Sequence, residues 1–320
     1  MRFINRKFVW LILSSVMFSA QANAQEKLQP IALPVKYDEH RFYVQPVTKN
    51  NIKLDLFTDT GGGLFIFKDV AEKLQLIKSE NAKDEAVDFP VFQTEFSIPA
   101  PLGSGGKLFW LERKKGEELF SNYDGMLGQA WFANRIWTFD YPKKTLLLWN
   151  NAPNLIENES THKVKLGFRV SGNGKRALNY PRIQVEIDGE ILELLFDTGA
   201  TTFLTKQALD KLATGGAAER ATSFITDSTF EKWRRKHPKW RIIEKAESTT
   251  GEAMIEVPEI TIAGYRVGPI WFTRRADKNF HEYMSKFMDK KVEGAIGGNA
   301  LRYFRITVDY PNATAVFEKN

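Results

Sequence analysis

The residues best suited to chemistry are two aspartates, Asp59 and Asp197, each of which opens an Asp-Thr-Gly triplet between two apolar runs. If the fold brings the two carboxyl groups within hydrogen-bonding distance, both cannot ionise. We then expect one pKa to rise, the other to fall, and the pair to titrate as a unit. One carboxylate of such a pair can take a proton from a bound water, which attacks a carbonyl group while the protonated partner stabilises the oxyanion. This chemistry needs neither a metal nor a cofactor, and we predict none.

The residues that follow each aspartate suit a tight loop. Gly61 and Gly199 allow a sharp turn and a close approach of backbone to a neighbouring segment. Thr60 and Thr198 carry hydroxyl groups that can both donate and accept a hydrogen bond. These four residues are therefore predicted to support two catalytic loops.

An internal repeat relates the two triplets to each other. Residues 50–74 match residues 188–212 at an offset of 138, and residues 124–142 match residues 293–311 at an offset of 169. The matched residues of the first pair include Leu54 and Leu192, Phe65 and Phe203, Lys68 and Lys206, and Leu74 and Leu212. The two offsets differ by 31 residues, which predicts an insertion in the second half, placed at about 213–248.

Each half has the pattern of a β-rich lobe with one short amphipathic helix after the triplet. Alternating and apolar runs predict hairpins at 41–58 and 181–196, helices at 68–74 and 206–212, and closing strands at 145–149 and 314–317. Residues 25–150 are the predicted N-terminal lobe, 151–163 a polar linker, and 164–320 the C-terminal lobe with the insertion.

The beginning of the chain is typical of a secretory signal peptide, predicted for residues 1–24. Basic residues precede an apolar stretch from Phe8 to Phe18, and Ala22-Asn23-Ala24 offers a cleavage site. An uncleaved anchor is the less favoured alternative, because the stretch is shorter than the roughly 20 residues of a spanning helix. The sequence contains no cysteine, so it forms no disulfides. We expect a periplasmic (or secreted) protein with no integral membrane segment after cleavage.

The charge of the chain argues against a nucleic-acid partner. The formal net charge of +6 falls to +3 when the three basic residues of the predicted signal peptide are removed. A balance this small gives no basic surface of the kind that nucleic-acid-binding proteins present.

The order of these motifs resembles the aspartic peptidase superfamily, in its retropepsin-like and pepsin-like forms. In that superfamily a strand ends in Asp-Thr-Gly, an element of two hydrophobic residues and glycine follows, and Asp-Tyr precedes a closing strand. The second half, with Phe196–Ala200, Ala295–Gly297 and Asp309-Tyr310, is the closer match and resembles bacterial retropepsin-like domains.

The resemblance implies an all-β fold of two homologous retropepsin-like acid protease β-barrel lobes, related by a pseudo-twofold axis. It implies an aspartic endopeptidase in which Thr60 and Thr198 lock the two loops together. The motif that passes behind each loop would be Leu127-Gly128 in lobe one and Ile296-Gly297 in lobe two.

The chain departs from the pepsin pattern at the residue after each triplet. Gly62 and Ala200 stand where pepsin-like enzymes commonly have serine or threonine. A hydroxyl there would donate to the carboxylate and favour its charged form, so its absence predicts higher pKa values and a mildly acidic to near-neutral optimum. Lobe one also has the polar Thr58 where lobe two has Phe196, at a position where packing is expected.

A peptide or protein substrate would lie extended between the lobes under a mobile hairpin. The predicted flap is the turn 248–252, with Thr249, Thr250 and Gly251 as substrate-binding residues. Its lobe-one counterpart, within 81–92, lacks glycine and contains Pro90, so we expect one working flap. Because one chain carries both halves, we expect a monomer rather than a pairing of like lobes between chains.

Two alternatives to an independently active peptidase stay open at this point. The chain could be a catalytically silent relative that binds peptides, or a protease that needs a partner. The basic segment 231–245 has two interpretations, a helix broken at Pro238 whose tryptophans pack on the lobe, or a surface for an acidic partner. The four histidines show no metal-ligand spacing, and we predict no metal site.

Overall fold

The computed structural model describes residues 29–77, 86–113, 123–153, 158, 160–212 and 215–319. The predicted signal peptide lies outside these residues. In the first half the strands are β1 Ile31–Ala32, β2 Val35–Asp38, β3 Arg41–Val44, β4 Leu56–Thr58, β5 Leu64–Phe67, β6 Ala86–Asp88, β7 Lys107–Leu111, β8 Gly125–Leu127, β9 Ile136–Asp140 and β10 Thr145–Trp149. The helices are α1 Lys68–Lys73 and α2 Gln129–Phe132, with 3-10 turns at Thr94–Phe96 and Leu102–Ser104.

The second half repeats this order with additional elements. Its strands are β11 Thr161–Lys165, β12 Arg182–Ile187, β13 Glu190–Phe196, β14 Thr201–Phe203, β15 Glu219–Ala221, β16 Ser223–Thr226, β17 Ile242–Ile243, β18 Met254–Val257, β19 Ile260–Ile262, β20 Tyr265–Val267, β21 Ile270–Arg275, β22 Gly294–Ile296, β23 Arg305–Asp309 and β24 Thr314–Glu318. Its helices are α3 Lys206–Leu212, α4 Asp227–Lys236 and α5 Gly298–Leu301, with a π-helical turn at Lys278–Tyr283 and a 3-10 turn at Met284–Phe287.

Each lobe is built on its own sheet, and the two sheets share one arrangement around the triplet. Among the described residues, lobe one has the order β2-β3-β4-β8-β5-β7-β6 and lobe two the order β17-β18-β21-β16-β22-β13-β12-β19-β20. The strand that ends in aspartate runs parallel to the later hydrophobic strand, β4 to β8 and β13 to β22. That hydrophobic strand then pairs antiparallel with β5 in lobe one and with β16 in lobe two.

A third sheet joins the lobes, in the order β1-β10-β9-β23-β24-β11. Its centre is the antiparallel pairing of β9 with β23, where Thr138 lies opposite Thr307. These two threonines occupy equivalent repeat positions, and their buried hydroxyl groups are 2.7 Å apart. The pseudo-twofold axis therefore passes between them, and the predicted all-β fold of two related lobes is confirmed.

The core is continuous across this joint. Phe139 of lobe one packs on Phe196 of lobe two with ring centroids 6.3 Å apart, and Phe132 stacks on Tyr310 at 6.2 Å. All four rings are buried. Because large aromatic side chains contribute much of the burial free energy of a core, the two lobes stabilise each other.

The strand pairing places the extra segment of lobe two differently from the predicted 213–248. Phe65 pairs with Met126 in lobe one, and the residue that pairs with the equivalent Ala295 is Phe224, not Phe203. The counterpart of β5 and α1 is therefore β16 and α4. The larger extra segment is 201–221, which follows Ala200 directly, accounts for 21 of the 31 additional residues and contains the two-stranded sheet β14-β15 and helix α3. The other ten lie between Phe224 and Ala295.

The predicted basic segment lies on α4 and the turn after it. Trp233 is buried at 2% exposure, and Trp240 packs against it with ring centroids 6.0 Å apart. Lys232 pairs with Glu190 at 2.5 Å, and Lys236 pairs with Asp188 at 2.6 Å. These contacts favour the interpretation of a helix packed on its own lobe. In the part of the chain that the structure describes, no helix has the length and apolarity needed to cross a membrane.

Candidate active site

Both aspartates are held by the same local structure. The Asp59 N–H donates to the carbonyl of Leu127 at 3.1 Å, and the Asp197 N–H donates to the carbonyl of Ile296 at 3.0 Å. Because each aspartate is the first residue beyond a strand that runs beside a parallel neighbour, the sheet fixes where its side chain leaves the lobe. The two loops therefore begin in equivalent geometry.

The threonines connect the two loops across the axis. The Thr60 hydroxyl donates to the carbonyl of Phe196 at 2.6 Å and accepts the Thr198 N–H at 3.0 Å. In return the Thr60 N–H donates to the Thr198 hydroxyl at 3.2 Å. Both threonines are fully buried, so these bonds form without competition from water and hold the loops face to face.

The glycines bring each loop against the carboxyl group of the other lobe. A Cβ atom on Gly61 would lie 2.7 Å from Asp197 Cγ, and one on Gly199 would overlap the Asp59 carboxyl group. Each glycine N–H also donates to the aspartate of its own loop, Gly61 to Asp59 Oδ1 at 2.8 Å and Gly199 to Asp197 Oδ1 at 3.1 Å. The two carboxyl groups are hydrogen-bonded to each other.

This arrangement is the decisive observation for the fold. Two related β lobes present Asp-Thr-Gly loops that are crossed by threonine hydrogen bonds and that bring two carboxyl groups into contact. This two-lobed all-β fold is the one that the resemblance to aspartic peptidases implies.

No family model matches the sequence, and no curated protein matches it. The chain is similar to the crystal structure of an aspartic proteinase from Irpex lacteus, with 11% identity, coverage of 91% of this chain and 98% of that chain, and a TM-score of 0.49. It is also similar to the crystal structure of edgp, with 12% identity, coverage of 92% and 95%, and a TM-score of 0.48.

Burial dominates the electrostatics of the aspartate pair. Asp197 is 9% exposed, and burial raises its pKa well above the ordinary value, with the negative charge of Asp59 adding to the effect. Burial also raises the pKa of Asp59, although hydrogen bonding to Asp197 and to the N–H of Gly61, which donates to Asp59 Oδ1 at 2.8 Å, opposes the rise. The expected fall of one pKa is therefore not seen, because loss of water around the carboxylates outweighs the hydrogen bonds they receive.

The absence of a hydroxyl side chain after the first triplet has a steric reason. A Cβ atom on Gly62 would lie 2.5 Å from both Asp59 Oδ2 and Met126 Sδ, so no side chain fits there in this arrangement. The polar Thr58 is also accommodated, because its buried hydroxyl donates to the carbonyl of Phe42 at 2.8 Å. The Thr58 hydroxyl at the end of β4 is therefore hydrogen-bonded, and this polar residue directly before Asp59 does not disturb the packing.

A cavity of about 190 Å³ opens over the two aspartates. Lobe one lines it with Phe57, Tyr123 and Met126, and lobe two lines it with Thr201, Glu219 and Phe224, among others. Thr201 and Glu219 belong to the extra segment and were missed by sequence reasoning, since nothing in a local pattern shows that a segment returns to the cleft. The cavity leaves both carboxyl groups accessible to a substrate.

The motif behind each loop contains a glycine in very close contact. A Cβ atom on Gly128, after Leu127, would overlap the carbonyl groups of Gly62 and Gly63, and one on Gly297, after Ile296, would overlap the carbonyl of Thr222. The strand and the catalytic loop can be neighbours only because these positions lack a side chain.

The predicted flap residues lie outside the cavity lining. Thr249, Thr250 and Gly251 are exposed in the turn between β17 and β18, and Gly251 adopts a left-handed φ of 71°. The turn is tied to the cavity wall, because the Ser248 N–H donates to the carbonyl of Phe203 at 2.7 Å. Their role in substrate binding stays a prediction. Part of the predicted lobe-one counterpart, 81–85, lies outside the described residues.

The site offers acid–base groups rather than a metal-ligand set. Within the described residues, no three histidine or acidic side chains converge to hold a metal ion. What the arrangement can do chemically is hold one proton between two carboxyl groups next to a water or a carbonyl in the cavity.

Proposed function

We propose that this chain is an aspartic endopeptidase that hydrolyses peptide bonds with a water activated between Asp59 and Asp197. The single observation that supports this most is the contact of the two carboxyl groups, Asp197 buried and Asp59 half-buried, at the floor of an open cavity. The resting pair holds one proton, because two like charges in contact cannot both ionise. The ionised oxygen takes a proton from water as that water attacks the carbonyl carbon. The protonated partner gives its proton to the carbonyl oxygen, which forms a tetrahedral diol. The carboxyl group that took the proton from water then gives it to the leaving amine, while the partner takes a proton back from the diol as the C–N bond breaks, so the pair again holds one proton.

The proposed substrate is an extended peptide segment of a protein, bound between the lobes of a monomer. The proposed place of action is the periplasm or the extracellular space, on the strength of the N-terminal sequence alone. Because burial raises both pKa values, we expect maximal activity at mildly acidic to near-neutral pH. A pH–rate profile that peaks below about 3, the range of carboxylates stabilised by several hydrogen bonds, contradicts this.

The test is cleavage of a denatured protein by residues 25–320, with and without pepstatin. Asp59→Asn and Asp197→Asn keep the size of the side chain and remove the shared proton, so we expect each to abolish cleavage. Asp309→Asn, at the hairpin that closes lobe two, is the control and should cleave like the parent. A parent chain with no activity over a broad pH range supports instead the non-catalytic peptide-binding alternative.

A further inference from the structure

Arg41, the first residue of β3 in lobe one, is buried to an unusual degree. Its side chain is only 1% exposed, and arginine is almost never buried in this way without a partner. Its guanidinium group is directed out of lobe one and into the extra segment 201–221 of lobe two. It crosses the boundary between the lobes beside the cavity that holds the two aspartates.

The guanidinium group has several acceptors in that segment. Nη1 donates to the Glu219 carboxylate at 2.5 Å and to the Thr201 hydroxyl at 3.4 Å, and Nη2 donates to the Glu219 carbonyl at 3.3 Å. Nη2 also lies 3.7 Å from Asp38 of its own lobe. Nε has no hydrogen-bond partner among the described residues. Most of the hydrogen bonds of this buried cation are thus made to lobe two.

These contacts continue to the catalytic loop of lobe two. The Thr201 hydroxyl, which accepts from Arg41, donates to the carbonyl of Gly199 at 2.8 Å. The N–H of the same glycine donates to Asp197 Oδ1 at 3.1 Å. Gly199 is therefore held on its carbonyl side by Thr201, which accepts from Arg41, and on its N–H side by Asp197.

The arrangement has no counterpart in lobe one. There the chain passes from Gly62 and Gly63 directly into β5, without a segment equivalent to 201–221. The neighbouring turn of lobe one supports the same contact, because the Ala221 N–H donates to the carbonyl of Glu39 at 3.1 Å. The extra segment thus uses lobe one to hold a loop of lobe two.

We propose that Arg41, acting with Glu219 and Thr201, positions the catalytic loop at residues 197–199. Arg41 is a positioning residue: it keeps the Gly199 N–H aimed at the Asp197 carboxylate and fixes the register of the two lobes beside the cleft. The effect of Arg41 on the rate of cleavage rests on the proposed peptidase function. The effect of Arg41 on the titration of the aspartates does not, because that titration can be followed without any substrate.

Among the residues that the structure describes, few other titratable groups face the aspartates. They are Glu219 across the cavity and four tyrosines, Tyr123, Tyr141, Tyr180 and Tyr310. Burial raises the pKa of each of these tyrosines above its ordinary value, so all four stay neutral through acidic and neutral pH. The tyrosines therefore do not contribute to a change in titration at acidic to neutral pH, and Thr201→Val leaves the Glu219 side chain in place.

The experiment compares Arg41→Met, Arg41→Lys and Thr201→Val with a matched control, Arg305→Met. Arg305 also forms an ion pair across the lobes, with Asp140 at 3.3 Å, but it lies in the joining sheet and makes no contact with the loop. The free energy of unfolding is measured against pH for each variant, with and without the double substitution Asp59→Asn and Asp197→Asn. For each variant, the free energy of unfolding with both aspartates present minus that with both replaced gives the contribution of the two carboxyl groups to stability at each pH.

The sign of this contribution follows from the raised pKa values. The folded chain holds the protons more tightly than the unfolded chain, so the contribution is complete below the ordinary aspartate pKa of 3.8 and is lost as pH rises through the folded values. If the Gly199 N–H is no longer aimed at the Asp197 carboxylate, the pKa of Asp197 rises further, and the titration of the pair moves with it. We call the pH at which half of this contribution is lost the midpoint. We expect Arg41→Met and Thr201→Val to raise this midpoint by about one pH unit. Arg41→Lys should shift it less, since lysine keeps the charge but not the fork of donors.

The kinetic readout uses a denatured protein carrying a quenched fluorophore. We expect Arg41→Met and Thr201→Val to lower kcat by about 10- to 100-fold, as a small misplacement of reacting groups does, with KM changed by less than about twofold. Arg305→Met should lower stability and leave both the midpoint and kcat unchanged. Equal midpoints in the parent, Arg41→Met and Thr201→Val, or an equal shift in Arg305→Met, would overturn the proposal. A parent that cleaves nothing refutes the peptidase function, while the midpoints still decide the role of Arg41.

Discussion

At the scale of single residues, the site is governed by how closely the backbone of one lobe approaches the carboxyl group of the other. Gly61 and Gly199 each lie against the opposite aspartate, and this contact removes water that would otherwise stabilise the charges. That desolvation explains why both pKa values rise. The sequence alone predicted that the pKa of one aspartate rises and the pKa of the other falls. The spacing of the motifs indicates that two carboxyl groups meet, but not how much water remains around them.

Two neighbouring glycines provide a test of this close approach. In Gly61→Ala the new methyl group would lie 2.7 Å from Asp197 Cγ, so the carboxyl groups must move apart. We expect activity to fall by about 100-fold or more. In Gly63→Ala the nearest atom, Phe65 Cδ1, would be 4.0 Å away, and we expect activity close to that of the parent. Steady-state cleavage rates measure both, and a Gly61→Ala variant as active as Gly63→Ala would contradict the proposed contact.

At the scale of elements, the sequence predicted the strands that end in aspartate and the later strands that run beside them. These elements carry their own signals, apolar runs that stop at Asp-Thr-Gly or at glycine. The extra segment was misplaced because β14 and α3 have the same local pattern as β5 and α1. A pattern of apolar residues reports that a strand forms but not which strand it pairs with, and only the pairing of Phe224 with Ala295 separates the two.

The same limit explains why the contact between Arg41 and Glu219 was missed. A charged residue in a sequence is normally read as solvent-exposed, and the partner of Arg41 lies 178 residues away in the chain. The one available signal was the position of Arg41 directly before the apolar run Phe42–Val44. That signal is too weak to indicate burial across a boundary between lobes.

The glycine behind the lobe-two loop allows a prediction at this scale. In Gly297→Ala the methyl group would overlap the carbonyl oxygen of Thr222, which belongs to backbone and cannot turn aside. We expect the free energy of unfolding to fall by about 1–3 kcal/mol, the usual result of overpacking. Gly172→Ala is the control, because a Cβ atom there meets nothing within 4 Å. Chemical denaturation compares them, and equal stability of the two variants would refute this account of strand and loop packing.

At the scale of the whole molecule, the lobes are joined by more than a linker. The joining sheet takes strands from both halves, and its central pair Thr138 and Thr307 shares a buried hydrogen bond across the axis. The aromatic core also passes from one lobe to the other. Neither lobe can therefore unfold without exposing apolar surface of the other.

This joint predicts that the two lobes unfold together. Thr307→Val leaves the Thr138 hydroxyl without one of its partners inside the core, which costs about 1–3 kcal/mol. We expect native-state hydrogen exchange to show an equal loss of protection at Met126 in β8 of lobe one and at Ala295 in β22 of lobe two. A loss confined to lobe two would show that the lobes open independently.

The claim on which everything else depends is that Asp59 and Asp197 hold one proton in common. The most direct measurement is a pH titration of the side-chain carboxyl ¹³C chemical shifts of both aspartates, assigned with Asp59→Asn and Asp197→Asn. We predict two titration steps, each visible at both residues, with the later step well above the ordinary aspartate pKa of 3.8. Two independent single-step titrations, each near the ordinary value and each unchanged when the other aspartate is replaced, would contradict the account.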